Sequence, residues 1–200
     1  MLRLGLTGGI ASGKSAVAAM LRDLGFPVLS ADAVAHQQME PGQAGHDEIL
    51  KEFGPTVATA DGHIDRPKLA SIVFADPAKL ARLNAILHPR VEAVMLKQFE
   101  DWERNGVRDA AFVEAALLLE AGFDKKLGGL VVAWCEPNQQ IERLLARGMS
   151  ELEARRRVAA QLPVEEKRKH ATYVIDCSGT IAETLAQVRA LAAKLRRQTT

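Results

Sequence analysis

GLTGGIASGKSAV, running from Gly5 to Val17, is the stretch on which the fold turns. It follows the apolar MLRL and leads into an alanine-rich run. Within it, Gly8 to Ser15 fits G-x-x-x-x-G-K-[ST] in full. The residue types follow from what a phosphate chain demands. Phosphates must lie against the backbone, so side chains must be absent along their path. Glycine also admits the positive φ of a tight anion-binding loop. The amides of Ser12 to Ser15 are then expected to face the phosphates, at the positive end of the following helix. Lys14 brings a point charge to the β- and γ-phosphates, and the Ser15 hydroxyl is a ligand for Mg²⁺. The expected nucleotide-contacting set is Gly8, Gly9, Ala11, Ser12, Gly13, Lys14, Ser15 and Ala16. An incidental glycine-rich turn is the alternative. The apolar strand before the motif and the helix after it argue against that.

Outward from this loop, five β-like runs stand out: Leu2–Thr7, Pro27–Ala31, Ala110–Leu118, Leu130–Cys135 and Thr172–Cys177. Most are apolar nearly throughout, as strands covered on both faces are. Helical patterns fall at Lys14–Leu24, Glu142–Arg147, Leu152–Gln161 and Thr180–Arg196. The alternation predicts a three-layer α/β/α core of P-loop NTPase type with a mainly parallel five-stranded sheet. Asp32 to Gly106 has helical periodicity, with breaks at Pro41-Gly42, Gly54-Pro55 and Asp61-Gly62, and is read as a mostly helical insertion. The chain is read as one domain. Its core is 1–35, 108–137 and 170–200, with a helical insertion over about 60–106 and a helical lid over about 138–169. The terminal LRRQTT is read as a frayed end.

Composition narrows the class. With 200 residues, 48% of them hydrophobic, the chain can bury one sizeable core. Its 26 basic and 25 acidic residues give a net charge of +1, which calls for neither nucleic acid nor a membrane surface. Cys135 and Cys177 match no metal or redox spacing and read as buried thiols of a reducing compartment. No signal peptide or membrane-length apolar run is seen, so a cytoplasmic protein is expected, a monomer or weak homo-oligomer.

A phosphate loop alone does not separate kinases from switches and motors. The chain has no Asn-Lys dipeptide, hence no guanine-reading Asn-Lys-x-Asp. Asp176 to Gly179 resembles a switch Asp-x-x-Gly but lies too late in the chain, and is read as a strand end and turn. A small-molecule kinase using ATP and Mg²⁺ fits better. It needs a base, a charge clamp and a lid. Asp32, ending the second strand at the edge where α/β ligands bind, is a candidate base or a helix N-cap for Ala33–Gln38. Arg143 and Arg147, four apart, share a helix face, and Arg155, Arg156 and Arg157 follow. They are a phosphate clamp or a solvated face paired with Glu142, Glu151 and Glu153. Glu114 could hold Mg²⁺ through water or be a buried structural carboxylate. His88-Pro89 is read as a helix end. His36, His46, His63 and His170 are read as surface residues.

Taken in order, LTGGIASGKS, SADAVAH, DGHIDRPKLASIVF, LNAILHP, ALLLEAG, RLLARGMSELEARRRVAAQ and EEKRKHATYVIDCSG resemble dephospho-coenzyme A kinases over nearly the whole chain. The resemblance implies transfer of the ATP γ-phosphate to the 3′-hydroxyl of the dephospho-CoA ribose, the last step of coenzyme A biosynthesis. It implies Asp32 as the base, with Lys14 and Arg143 as its catalytic partners on the phosphates. It implies an acceptor site drawing on Asp32, Arg66, Asn84, His88, Leu117 and Glu120, and a requirement for Mg²⁺. The chain departs from the family pattern at Ser30, His36, Ala116, Ala11 and Cys177. Ala11 replaces a usual glycine, and is expected to be tolerated with a negative φ. A nucleoside or nucleoside-monophosphate kinase is the competing reading.

Overall fold

The structure is a computed structural model that describes residues 1–197. It divides into two compact units, Met1–Ser30 with the chain from Phe99 onward, and Ala31–Gln98.

The first unit carries the sheet. Its strands are β1 (Leu2–Thr7), β2 (Val28–Ser30), β3 (Ala110–Glu114), β4 (Gly129–Trp134) and β5 (Tyr173–Asp176), in the order β2-β3-β1-β4-β5. All four pairings are parallel. β3 stops at Glu114, not Leu118, because the chain enters a turn from Ala116 to Gly122. Alternation divides the two faces. Leu4, Leu6, Phe112, Val131 and Ala133 point to one side, where Val17, Ala18 and Leu21 of α1 (Lys14–Asp23) and Val188, Leu191 and Leu195 of α9 (Ile181–Arg197) close over them. On the other side a Cβ on Gly5 would strike Leu118, Leu127 and Leu130, so the covering chain lies directly on the backbone there. α8 (Val164–Lys169) also packs on that side, through Glu165 accepting from Trp134 Nε1 at 2.7 Å. A strand buried on both faces must be apolar at successive positions, which is why these runs show no alternation.

α6 (Pro137–Ala146) and α7 (Glu151–Ala159) complete the unit. Arg155 pairs with Glu151 and Arg157 with Glu153 one turn away, all exposed, as a solvated helix face does. Asp176 Oδ1 accepts from the Ser178 amide at 2.8 Å and hydroxyl at 2.6 Å, the turn expected after β5. Cys135 and Cys177 are both buried and unbridged, and burial pushes the Cys177 thiol up to about 11. The frayed-end reading fails for Leu195–Arg197, which are helical; its last residues, 198–200, lie outside the described ones.

The second unit is built from α2 (Ala31–Gln38), α3 (Ala44–Phe53), α4 (Arg66–Phe74) and most of α5 (Pro77–Arg104). Ile49, Val57, Ile64, Leu69, Val73 and Leu87 form its core. His88-Pro89 does not end a helix; Pro89 lies inside the 28-residue α5. Proline removes one N–H bond and crowds the carbonyl a turn back. Packing outweighs that here, because Leu87, Val91 and Met95, one turn apart, are each at most 8% exposed. The Arg90 side chain also donates to the Ile86 carbonyl in the turn that the proline disturbs.

His46 is a second correction: it is 7% exposed, not a surface residue. Its Nδ1 lies 3.0 Å from Asp47 Oδ1 and its Nε2 2.8 Å from the Gly62 carbonyl. Both neighbours are acceptors, so both ring nitrogens are asked to carry protons. The Asp47 bond, then the Gly62 carbonyl, raise its pKa above 6.5. A raised folded-state pKa stabilises the fold fully below the unfolded value, and that contribution is lost as pH rises through the folded value. His46→Gln should therefore lower the Tm more at about pH 5.5 than at about pH 9. Paired thermal melts of wild type and variant check this, and an equal deficit at both pH values would refute it.

Candidate functional site: the phosphate loop

The chain leaves the C-terminal end of β1 at Thr7 and re-enters regular structure at Lys14. Gly13 caps α1 with φ 102°, a conformation that L side chains rarely adopt, and a Cβ there would strike Cys177. Gly9 is needed for a different reason. A Cβ on it would sit 2.2 Å from Gln140 Nε2, so the close approach is to a side chain of α6 as well as to any ligand. Ala11 contradicts the negative-φ expectation: its φ is 59°. For an alanine that geometry costs on the order of 1 kcal/mol, so the surroundings must hold it.

They do. Arg143 donates to the Ala11 carbonyl at 3.2 Å and to the Cys177 carbonyl at 2.6 Å. Gln140 Nε2 donates to the Ile10 carbonyl at 2.6 Å, and the Ile10 amide donates to Gln161 Oε1 at 2.8 Å. The Ser12 amide is also committed, to the Gly9 carbonyl at 3.1 Å. That corrects the expectation that amides from Ser12 onward face a ligand. Gly13, Lys14 and Ser15 stand at the head of α1, where amides lack intrahelical acceptors and the helix dipole is positive. Ser12 Oγ is buried without a hydrogen-bond partner.

A cavity of about 290 Å³ opens here, lined by Gly9 to Ala16 together with Ala116, Arg147 and Gln161. Of the two arginines on α6 and its cap, Arg147 lines the cavity while Arg143 is spent on the loop backbone. Lys14 reaches across to Glu114 at the end of β3, with Nζ 2.7 Å from Oε1 and both side chains largely buried. Arg22 approaches the other Glu114 oxygen at 3.5 Å. Among the described residues no group of three or more His, Cys, Asp or Glu could hold a metal. The oxygens to hand are the Ser15 hydroxyl and the Glu114 carboxylate. Such a sparse, hard donor set fits Mg²⁺, which prefers one or two protein oxygens plus phosphate and water. A glycine-cornered loop, a helix N-terminus and a lysine held by a carboxylate together make an anion site fit for a nucleotide's phosphates.

The family model for dephospho-CoA kinase matches residues 2–183. The chain belongs to the dephospho-CoA kinase family. A dephospho-CoA kinase of Symbiobacterium thermophilum is 45% identical over 94% of this chain and 78% of its own length. A crystal structure of a Thermus thermophilus protein superposes with TM-score 0.82 at 38% identity, covering 100% of this chain and 98% of that one. A dephospho-CoA kinase from Campylobacter jejuni gives TM-score 0.75 at 26% identity over 99% and 98%. The five-stranded parallel sheet is thus that of the P-loop kinases.

The other residues matching the family's motifs fall in both units. In the first, Leu117 is 47% exposed, while Glu120 is engaged within the protein. Glu120 Oε1 accepts from the Leu162 amide at 2.9 Å and pairs with Lys167 Nζ at 2.8 Å. In the second unit, Asp32 is exposed in the first turn of α2, which begins at Ala31. It therefore lies one residue inside the helix and caps nothing; the N-cap reading is withdrawn. Arg66 opens α4 behind the Asp65 cap, whose side chain accepts from the Lys68 amide at 3.0 Å. Asn84 and His88, one turn apart on α5, share a face. Gln140, Gln161 and Lys167 were not foreseen. Lys167 is fully buried, yet it sits in EEKRK, a run that reads as solvated charge. Gln140 and Gln161 are polar positions in helical patterns, a signal too common to stand out.

Proposed function

We propose that this dephospho-CoA kinase family member transfers the γ-phosphate of ATP to the 3′-hydroxyl of the dephospho-CoA ribose, in the cytoplasm, giving CoA and ADP. The observation that carries the proposal is the phosphate-loop cavity with Lys14 at its wall, in a chain whose family match spans residues 2–183. Phosphoryl transfer asks little covalent chemistry of a protein; positioning and charge stabilisation supply most of the rate. The α1 amides and Lys14 take the β- and γ-phosphates. Lys14 leaves Glu114 to do so, a short swing for an ammonium already facing the cavity. Arg147 offers a planar fork to the transferring group, and Arg143 keeps the loop in shape beneath it. Mg²⁺, held by Ser15 with Glu114 nearby, neutralises phosphate charge when bound. Asp32, two residues past the end of β2, takes the proton of the acceptor hydroxyl. Arg66, Asn84, His88, Leu117 and Glu120 are assigned to the acceptor.

An ADP-release assay with ATP, Mg²⁺ and either dephospho-CoA, adenosine, AMP or pantetheine tests this, with product masses measured. The expected product is one phosphate heavier than dephospho-CoA, with none from AMP. Turnover on AMP would overturn the acceptor assignment and leave the kinase fold standing. Nucleotide binding without turnover on any acceptor would overturn the transfer reaction itself.

A further inference from the structure

The crown of the phosphate loop is gripped from one side by side chains of the lid. Two successive residues are held: Ile10 at its amide by Gln161 and at its carbonyl by Gln140, and Ala11 at its carbonyl by Arg143. The loop needs this grip because Ala11 is an alanine at φ 59°. Gln161 differs from the other two in lining the cavity. It also belongs to the short link between α7 and α8, where its own amide donates to the Val158 carbonyl at 3.2 Å.

That link is fixed by an ion pair whose cation is buried. The amide next to Gln161, that of Leu162, donates to Glu120 Oε1 at 2.9 Å. Glu120 pairs with Lys167, whose side chain is wholly inaccessible to solvent. Lys167 Nζ also donates to the Ala116 carbonyl, which accepts from the Thr7 hydroxyl at 3.2 Å. So two of the three cavity-lining residues outside the loop, Ala116 and Gln161, rest on one buried cation.

We propose that Gln161 is a positioning residue for the phosphate loop, orienting the Ile10 peptide from a segment that the ion pair of Glu120 with the buried Lys167 holds in place. Gln161 stays on Ile10 when nucleotide is bound, and the phosphates take the amides at the head of α1. This rests on the ATP-dependent reading above.

Gln161→Met, of similar length but with no acceptor, tests it. The probes are the affinity for a fluorescent N-methylanthraniloyl ADP, KM for ATP, KM for dephospho-CoA, kcat and Tm. The expected result is that ADP affinity weakens and KM for ATP rises, each about 5- to 10-fold, the worth of one hydrogen bond. KM for dephospho-CoA and Tm stay as in wild type. A lower Tm and kcat with KM for ATP unchanged would reduce Gln161 to a structural residue and overturn the proposal. Tighter ADP binding would also overturn it, since Gln161 would then compete with phosphate for the Ile10 amide. Unchanged values throughout would do the same. A wild type that neither binds the probe nor turns over would instead bring down the ATP-dependent reading on which the proposal rests.

Discussion

Lys14→Met should lower kcat by about 10²- to 10³-fold, the scale of removing one preorganised charge partner from a developing anion. Met keeps the length of the stem and deletes only the ammonium. The variant has a second effect, because Lys14 Nζ is the closer of two cations on Glu114, at 2.7 Å against 3.5 Å for Arg22. Glu114 is 7% exposed, so losing that partner leaves a carboxylate poorly compensated, at a cost of about 1–3 kcal/mol. Chemistry and stability are separable in Lys14→Met/Glu114→Gln, where the uncompensated charge is gone as well. Its melting temperature should recover toward wild type while kcat remains depressed. Recovery of both together would show that Lys14 acts only by holding Glu114, and would remove it from the phosphate site.

Asp32→Asn should lower kcat by about 10²- to 10⁴-fold, the usual worth of a positioned base, with affinity for ADP unchanged. The change is nearly isosteric and falls on an exposed side chain, so no core contact is lost. The carboxylate does sit in the first turn of α2, where it complements the helix dipole. Its neutralisation should therefore cost only about 0.3–1 kcal/mol of stability. Steady-state turnover with dephospho-CoA beside ADP titration distinguishes the outcomes. Turnover within a few fold of wild type would remove Asp32 from the base role. Loss of ADP binding would place it in the nucleotide site instead.

Much of the architecture was legible because strand burial on both faces writes itself as continuous apolar runs. β1 agrees to the residue, and β4 and β5 to within about a residue at each end. β3 was read four residues too long, since AALL after Glu114 is as apolar as the strand before it. There the apolar residues pack into a turn, which periodicity does not distinguish. The helix end assigned to His88-Pro89 erred in the opposite way. A local backbone preference was given weight that the buried stripe Leu87, Val91 and Met95 overrides. Ala11 shows a third kind of gap. Its identity is local, but its φ of 59° is set by a loop whose crown is tied to Gln140, Arg143 and Gln161, more than a hundred residues away.

The sequence by itself determined the phosphate loop, the α/β class and the family. Each of these depends on residue type at short spacing: glycines where the backbone must be approached, Lys and Ser at the head of a helix, apolar runs between them. Only the tertiary structure decided what each polar side chain spends itself on. It put Lys14 on Glu114, Arg143 on loop carbonyls, Glu120 on a buried Lys167, and His46 between two acceptors. The physical reason is that burying a charge or an amide is tolerable only with a partner, and the partner is supplied by whatever the fold brings there from elsewhere in the chain.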